Sequence, residues 1–134
     1  MTVPSTEILV VDDEPEMCEL VGLILARGGY RPTLSPRPEH ALALYRDGKR
    51  FPLAVLDVVM PVITGEELAR RLRADDPDLK ILFLTGHADV LFRARPVLWH
   101  DEAFLEKPFT PEGLLQAISL LLHGQIQPNT PSPR

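Results

Sequence analysis

Residues 53–61 read LAVLDVVMP, an apolar run that carries a single aspartate and ends at a proline. Four apolar residues precede Asp57, and three follow it before Pro61. Burying a lone carboxylate is costly unless it is paired, hydrogen-bonded or bound to a metal. Asp57 therefore lies at the exposed end of a strand, or it has a role that compensates for its burial.

Short apolar runs alternate with amphipathic segments of helical length along the chain. The predicted strands are 8–11, 30–34, 53–56, 80–84 and 103–105, and the predicted helices are 15–27, 38–45, 64–74, 89–99 and 110–122. Pro32 places the second strand at a sheet edge, where a missing N–H is tolerated. Thr64 and Glu67 fit a capping box at the start of the third helix. Five strands alternating with five helices predict an α/β fold, with a parallel sheet covered on both faces.

The composition favours a single cytoplasmic domain. The net charge of −5 over 134 residues argues against nucleic acid or an anionic membrane as the main partner. Cys18 is the one cysteine, so no internal disulfide forms and a reducing compartment is expected. Residues 1–6 are predicted to be a short leader without signal-peptide features, 7–123 the folded domain, and 124–134 a disordered, proline-rich tail.

Polar residues follow the predicted strands at their carboxyl ends, where open parallel sheets form their sites. They are Asp12, Asp13, Asp57, Thr85, Glu106 and Lys107. Taken singly, each has an ordinary structural explanation as a turn, cap or strand-end residue. Together, three carboxylates repel one another unless a cation lies among them, and hard oxygen ligands favour Mg²⁺. An aspartate nucleophile, a metal, a lysine and a hydroxyl are the components of phosphoryl transfer through an aspartyl phosphate, so Asp57 is predicted to be phosphorylated.

Four motifs resemble the receiver domains of bacterial two-component response regulators. They are ILVVDDEP (8–15), LDVVMPVITG (56–65), FLTG (83–86) and FLEKPF (104–109). The resemblance implies a doubly wound, flavodoxin-like (βα)5 fold with a five-stranded parallel sheet in the order 2-1-3-4-5, and it identifies residues 7–123 as a receiver domain. It also implies that Asp57 accepts phosphate from the phosphohistidine of a sensor histidine kinase.

The resemblance further implies roles for individual residues. By this resemblance, Mg²⁺ is held by Asp12, Asp13, Asp57 and the backbone carbonyl of Val59, and the phosphoryl oxygens are bound by Thr85 and Lys107. The resemblance also implies that Phe104 occupies the aromatic switch position and that the Lys107–Pro108 peptide bond is cis. Such a protein is a phosphoacceptor with intrinsic, Mg²⁺-dependent autophosphorylation and autodephosphorylation, not an enzyme acting on a separate substrate. Phosphorylation is expected to change the surface around the fourth predicted helix, the fifth strand and the fifth predicted helix.

The expected partners are the kinase and an unidentified downstream protein, with no nucleic acid and no membrane. The chain is interpreted as a stand-alone regulator or, alternatively, as the receiver piece of a hybrid sensor kinase. The side chains of Val59 and His87 are expected to flank the water that hydrolyses the aspartyl phosphate. Val59 is expected to block that water and so prolong the phosphorylated state. Pro96 is expected to kink or shorten the fourth predicted helix.

Two other classes of protein use similar parts. An aspartate-nucleophile phosphatase of the haloacid-dehalogenase type needs a second aspartate two residues after the nucleophile as general acid. Val59 occupies that position and has no proton to give. A flavodoxin-like FMN binder needs a phosphate loop after the first strand, where Asp12, Asp13 and Glu14 would repel the phosphate.

Overall fold

The computed structural model describes residues 5–86 and 101–124. Within these residues the elements are β1 (Glu7–Val11), α1 (Pro15–Arg27), β2 (Arg31–Ser35), α2 (Pro38–Arg46), β3 (Leu53–Asp57), α3 (Gly65–Asp75), β4 (Lys80–Thr85), β5 (Glu102–Glu106) and α4 (Pro111–His123). The strands form one sheet in the order β2-β1-β3-β4-β5, and every pairing is parallel. The predicted fold class and strand order are confirmed.

Several sequence predictions fall outside the described residues. They concern the helix predicted at 89–99 with its Pro96, the side chain of His87, and both chain termini. The predicted domain limits, with a leader at 1–6 and a tail at 124–134, stay predictions.

The core has two layers, one on each face of the sheet. Residues of α2 and α3 pack on the face that contains Leu9 and Val11. Residues of α1 and α4 pack on the opposite face, with Ile8 and Val10. Successive side chains of a strand point to opposite faces, so a central strand covered on both sides needs apolar residues at every position. This explains the uninterrupted apolar runs of β1 and β3.

The helix ends follow local sequence signals. The Thr64 hydroxyl accepts a hydrogen bond from the Glu67 backbone N–H at 3.1 Å, which confirms Thr64 as the N-cap of α3. Thr110 caps α4 in the same way. Gly124 has a φ of +71° at the C-terminus of α4, a conformation that glycine adopts without steric cost. Within the described ranges, no helix is long and apolar enough to cross a membrane.

Candidate functional site

The predicted site residues lie at the carboxyl edge of the sheet. Asp12 and Asp13 follow β1, Asp57 is the last residue of β3, and Thr85 is the last residue of β4. Lys107 follows β5, and its backbone N–H donates to the Thr85 carbonyl at 2.8 Å. The central strands are adjacent in the sheet, so their ends bring these polar groups to one rim.

The three aspartates form a compact carboxylate cluster. One oxygen from each of Asp12, Asp13 and Asp57 lies within 4.8 Å of the others. Asp12 is fully buried and Asp57 is 6% exposed, whereas Asp13 is partly exposed. The cluster therefore opens to solvent on the Asp13 side, while the other two carboxylates are almost completely buried.

Burial makes the charged form of two of these carboxylates unfavourable. Desolvation, with a further contribution from the neighbouring Asp12 carboxylate, raises the pKa of Asp57 from 3.8 to about 6. Desolvation also raises the pKa of Asp12, although the hydrogen bond from the Glu14 backbone N–H at 2.9 Å acts in the opposite direction. The folded chain therefore holds negative charge at this rim against an electrostatic cost.

Lys107 is the cationic side chain of the cluster. Its Nζ lies 3.5 Å from Oδ1 of Asp57 and 3.7 Å from Oδ2 of Asp12. These separations are long for a charge-assisted hydrogen bond, so Lys107 offsets only part of the repulsion. The Lys107–Pro108 peptide bond is cis, as expected.

The loop between β3 and α3 approaches the backbone of Asp57 closely. The Gly65 N–H donates to the Val58 carbonyl at 2.9 Å. A Cβ at Gly65 would lie 2.2 Å from the carbonyl oxygen of Asp57, so only glycine fits there. In the same loop, Val59 is 62% exposed and Val62 is 82% exposed. An apolar side chain two residues after Asp57 is therefore exposed to solvent.

Thr85 and Phe104 are the predicted phosphoryl-binding hydroxyl and the predicted aromatic switch residue. Thr85 is fully buried at the end of β4. Phe104 lies in the middle of β5 opposite Phe83 in the register, and it packs, partly buried, against the core on the α2 and α3 side. His87, the second predicted residue beside the attacking water, belongs to residues 87–100, which lie outside the described part of the chain.

Two features of the site were not predicted from the sequence. The first is the Glu14 backbone N–H, which fixes Oδ1 of Asp12. The second is Ser35, a fully buried residue at the end of β2, whose carbonyl accepts from the Asp12 N–H at 3.4 Å. An Asx-type turn at Asp12 is a local signal that could have revealed the first. The second depends on strand pairing and has no local signal.

The donor set fits a magnesium ion. Oδ2 of Asp12 is buried and, among the described residues, has no hydrogen-bond partner. A buried carboxylate oxygen without a donor is unusual in native proteins and indicates a place for a bound water or ion. Three carboxylates at an edge that is open on one side suit a hard cation that retains water ligands, which is the preference of Mg²⁺.

Comparisons with a family model and with curated proteins point to the same family. The description "Response regulator receiver domain" matches residues 8–119. The receiver protein CpdR of Brucella abortus is 35% identical over 115 residues, which cover 86% of this chain and 95% of CpdR. The transcriptional regulatory protein DctD of Pseudomonas aeruginosa is 32% identical over 115 residues, which cover 85% of this chain but 24% of DctD.

Solved structures agree with the sequence relatives. The response regulator TrrA of Thermotoga maritima, solved in complex with Mg²⁺ and a beryllium fluoride, is 33% identical to this chain. Its TM-score is 0.76, and the match covers 87% of this chain and 99% of TrrA. A receiver protein of Sinorhizobium medicae is 29% identical, with a TM-score of 0.79. The match covers 90% of this chain and 97% of the Sinorhizobium chain. The chain belongs to the response regulator receiver domain family of two-component signalling systems.

Proposed function

We propose that this protein is a phosphoacceptor switch in which Asp57 receives the phosphoryl group of a sensor histidine kinase. The observation that carries the proposal is the carboxylate cluster of Asp12, Asp13 and Asp57, with the Lys107 ammonium 3.5 Å from Asp57. A binding module with no chemistry would gain nothing from burying two acidic groups whose pKa values rise as a result. A phosphoryl acceptor needs that concentration of oxygen ligands around one nucleophile.

The transfer forms one bond and breaks another. A carboxylate oxygen of Asp57 forms a bond to phosphorus, and the bond between phosphorus and the donor's imidazole nitrogen breaks, leaving neutral histidine after that nitrogen regains a proton. The reaction requires deprotonated Asp57, whose pKa of about 6 in the metal-free protein would be lowered by a cation bound beside it. Bound Mg²⁺ would supply charge neutralisation for the phosphoryl oxygens in the transition state.

The remaining site residues have separate roles in the proposal. Asp12 and Asp13 hold Mg²⁺ together with Asp57 and the backbone carbonyl of Val59. The hydroxyl of Thr85 and the ammonium of Lys107 bind phosphoryl oxygens once the acyl phosphate has formed. Phe104 relays the resulting change to the surface that includes β5 and α4.

The lifetime of the phosphorylated state is assigned to Val59 and His87. Hydrolysis needs a water in line with the bond to Asp57. Val59, two residues after Asp57, is 62% exposed. Its side chain cannot hydrogen-bond to a water, and in this proposal it occupies part of the path of the attacking water. The protein in this proposal autophosphorylates from small donors and autodephosphorylates, and it turns over no separate substrate.

The output of the switch is a protein contact. The protein is proposed to be a stand-alone cytoplasmic regulator, and the alternative is the receiver piece of a hybrid sensor kinase. The chain spans about a quarter of DctD and about half of TcrX, a probable transcriptional regulatory protein of Mycobacterium tuberculosis. Both names describe regulators of transcription, so the absence of a nucleic-acid partner stays a prediction that rests on the net charge of −5.

Intact-mass analysis with acetyl phosphate and Mg²⁺ tests the proposal. The protein should gain one acid-stable, base-labile phosphoryl group, and the Asp57→Ala variant should gain none. Asp78→Ala is the matched control, because this aspartate is exposed in the loop after α3. Asp13→Ala should remove the dependence on Mg²⁺, whereas Lys107→Ala should still be labelled but fail to change conformation. Equal labelling of the unmodified protein and Asp57→Ala would contradict the assignment.

A further inference from the structure

Strand β5 lies at the edge of the sheet and pairs with β4 on one side. Four of its five residues are partly buried and the last is exposed, whereas every residue of β3 is buried. The register of a strand is strongly specified where one face is fully buried and weakly specified where it is not. Burial alone therefore fixes the position of β5 less firmly than that of the central strands.

The last turn of α3 holds the beginning of β5 through Arg73. The Nη1 of Arg73 donates to Oε2 of Glu102 at 2.5 Å. Its Nη2 donates to the Asp101 carbonyl at 3.1 Å, and its Nε donates to the Leu79 carbonyl at 2.9 Å. The Glu102 side chain is 1% exposed and that of Arg73 13%. One planar guanidinium thus joins α3, the residue before β4 and the first residue of β5.

Asp101, the residue before β5, is fixed from further directions. Its φ is +69°, a left-handed conformation that aspartate tolerates better than most residues. Its carbonyl also accepts from the Ile81 N–H at 3.0 Å, and its carboxylate contacts the Lys80 ammonium at 3.1 Å. The chain therefore enters β5 at a point that Arg73 and β4 define together.

The opposite end of the same strand delivers Lys107 to the phosphoryl site. We propose that Arg73 is a positioning residue, which sets the register in which Lys107 reaches Asp57 by fixing the start of β5. This inference rests on the proposed function. A strand advances about 3.3 Å per residue, so a slip of one residue would move Lys107 by about its present 3.5 Å distance from Asp57. The same slip would turn Phe104 to the other face of the sheet.

Beryllofluoride, an analogue of the phosphoryl group, separates the role of Lys107 from that of the metal ligands. In saturating Mg²⁺, Arg73→Met should bind beryllofluoride about tenfold more weakly than the unmodified protein, because misplacement of a binding group by about 1 Å is enough for a large loss. Its affinity for Mg²⁺ alone should not fall, because the three aspartates are unchanged and displacement of the Lys107 ammonium removes a competing cation from beside Asp12 and Asp57. Arg70→Met is the matched control, since Arg70 lies exposed on the same helix and pairs with Glu67. It should bind both ligands normally.

A double variant separates positioning from stability. Arg73→Met removes the guanidinium that the buried Glu102 carboxylate contacts, and loss of a charge partner in a buried pair destabilises a protein regardless of register. Arg73→Met/Glu102→Met removes both charges, so it should recover the melting temperature but retain the weak binding of beryllofluoride. Amide hydrogen exchange in β5, measured without any ligand, should be faster in both variants.

The outcomes distinguish the inference from the proposed function. Normal beryllofluoride affinity in the double variant, or unchanged hydrogen exchange in β5, would overturn the positioning role of Arg73 while leaving phosphorylation of Asp57 intact. Failure of the unmodified protein to bind beryllofluoride with Mg²⁺ would overturn the proposed function, and the role of Arg73 with it.

Discussion

Replacing Asp57 with asparagine should stabilise the metal-free protein at neutral pH. Burial and the Asp12 carboxylate raise the pKa of Asp57 from 3.8 to about 6, so the folded state disfavours its charged form. One pKa unit corresponds to about 1.4 kcal/mol, which gives a ceiling of about 3 kcal/mol for the cost of that charge. The variant leaves no orphaned cation, because Lys107 retains the Asp12 carboxylate at 3.7 Å. A gain of about 1–3 kcal/mol in the free energy of unfolding follows.

The gain should depend on pH in one direction. Asp57 is protonated in both the folded and unfolded protein below 3.8, so its charge costs nothing there. The cost grows as the pH rises from 3.8 to about 6 and is complete above that value. The advantage of Asp57→Asn should therefore be full at neutral pH and shrink as the pH is lowered toward 4.

Thermal denaturation in the presence of a chelator measures this effect. At about pH 7.5, Asp57→Asn should melt roughly 3–12 °C above the unmodified protein, whereas Asp78→Asn should change little because Asp78 is exposed. Saturating Mg²⁺ should reduce or invert the difference, since the unmodified protein binds it more tightly. Equal melting temperatures near neutral pH, or a gain that persists undiminished at low pH, would refute the electrostatic reasoning.

Three further substitutions test the loop between β3 and α3. Val59→Asn should lose phosphate about tenfold faster, because the asparagine side chain can add one hydrogen bond to the attacking water. The decay of the phosphorylated protein over time measures this rate, and an unchanged rate would contradict the blocking role of Val59. Thr64→Ala should lower the free energy of unfolding by about 1 kcal/mol through loss of the N-cap, read from urea denaturation, and no loss would mean that the 3.1 Å contact is without consequence. Gly65→Ala should lower the free energy of unfolding by about 1–3 kcal/mol, because the new Cβ would meet the Asp57 carbonyl oxygen. It should also slow labelling by acetyl phosphate, and normal stability with normal labelling would show that the loop relaxes freely.

The fold was predictable because local signals agreed with one another. The apolar runs of β1 and β3 occur where both faces of a central strand are covered, and Pro32 occurs in a strand that lies at the sheet edge. Asp57 was predicted at the end of β3 because a lone carboxylate inside a buried apolar strand is costly, whereas the strand's end can be exposed or can form a site. Strand ends differed from their predicted positions by at most one residue, as at β2, which is Arg31–Ser35 instead of 30–34. Hydrogen bonding to a neighbouring strand decides such end residues, and the strand's own sequence does not.

Long-range polar contacts could not be predicted in this way. Arg73 and Glu102 are 29 residues apart, and each reads locally as a solvent-facing residue of an amphipathic helix or strand. Only the crossover that carries α3 back over the sheet brings them together. The raised pKa of Asp57 depends in the same way on how closely Asp12 and Lys107 approach it. The sequence identified the chemical groups of the site, whereas their electrostatics depend on tertiary distances.

Pro32 has a consequence for contacts between copies of the chain. The Arg31 N–H points toward β1, because it donates to the Thr6 carbonyl at 2.8 Å. Backbone N–H groups alternate in direction along a strand, so the nitrogen of Pro32 faces outward, and within β2 only Leu34 presents an outward amide hydrogen. An incoming strand would find one donor where an ordinary edge of this length offers two. The proline thereby protects this flank of the sheet against strand-to-strand aggregation.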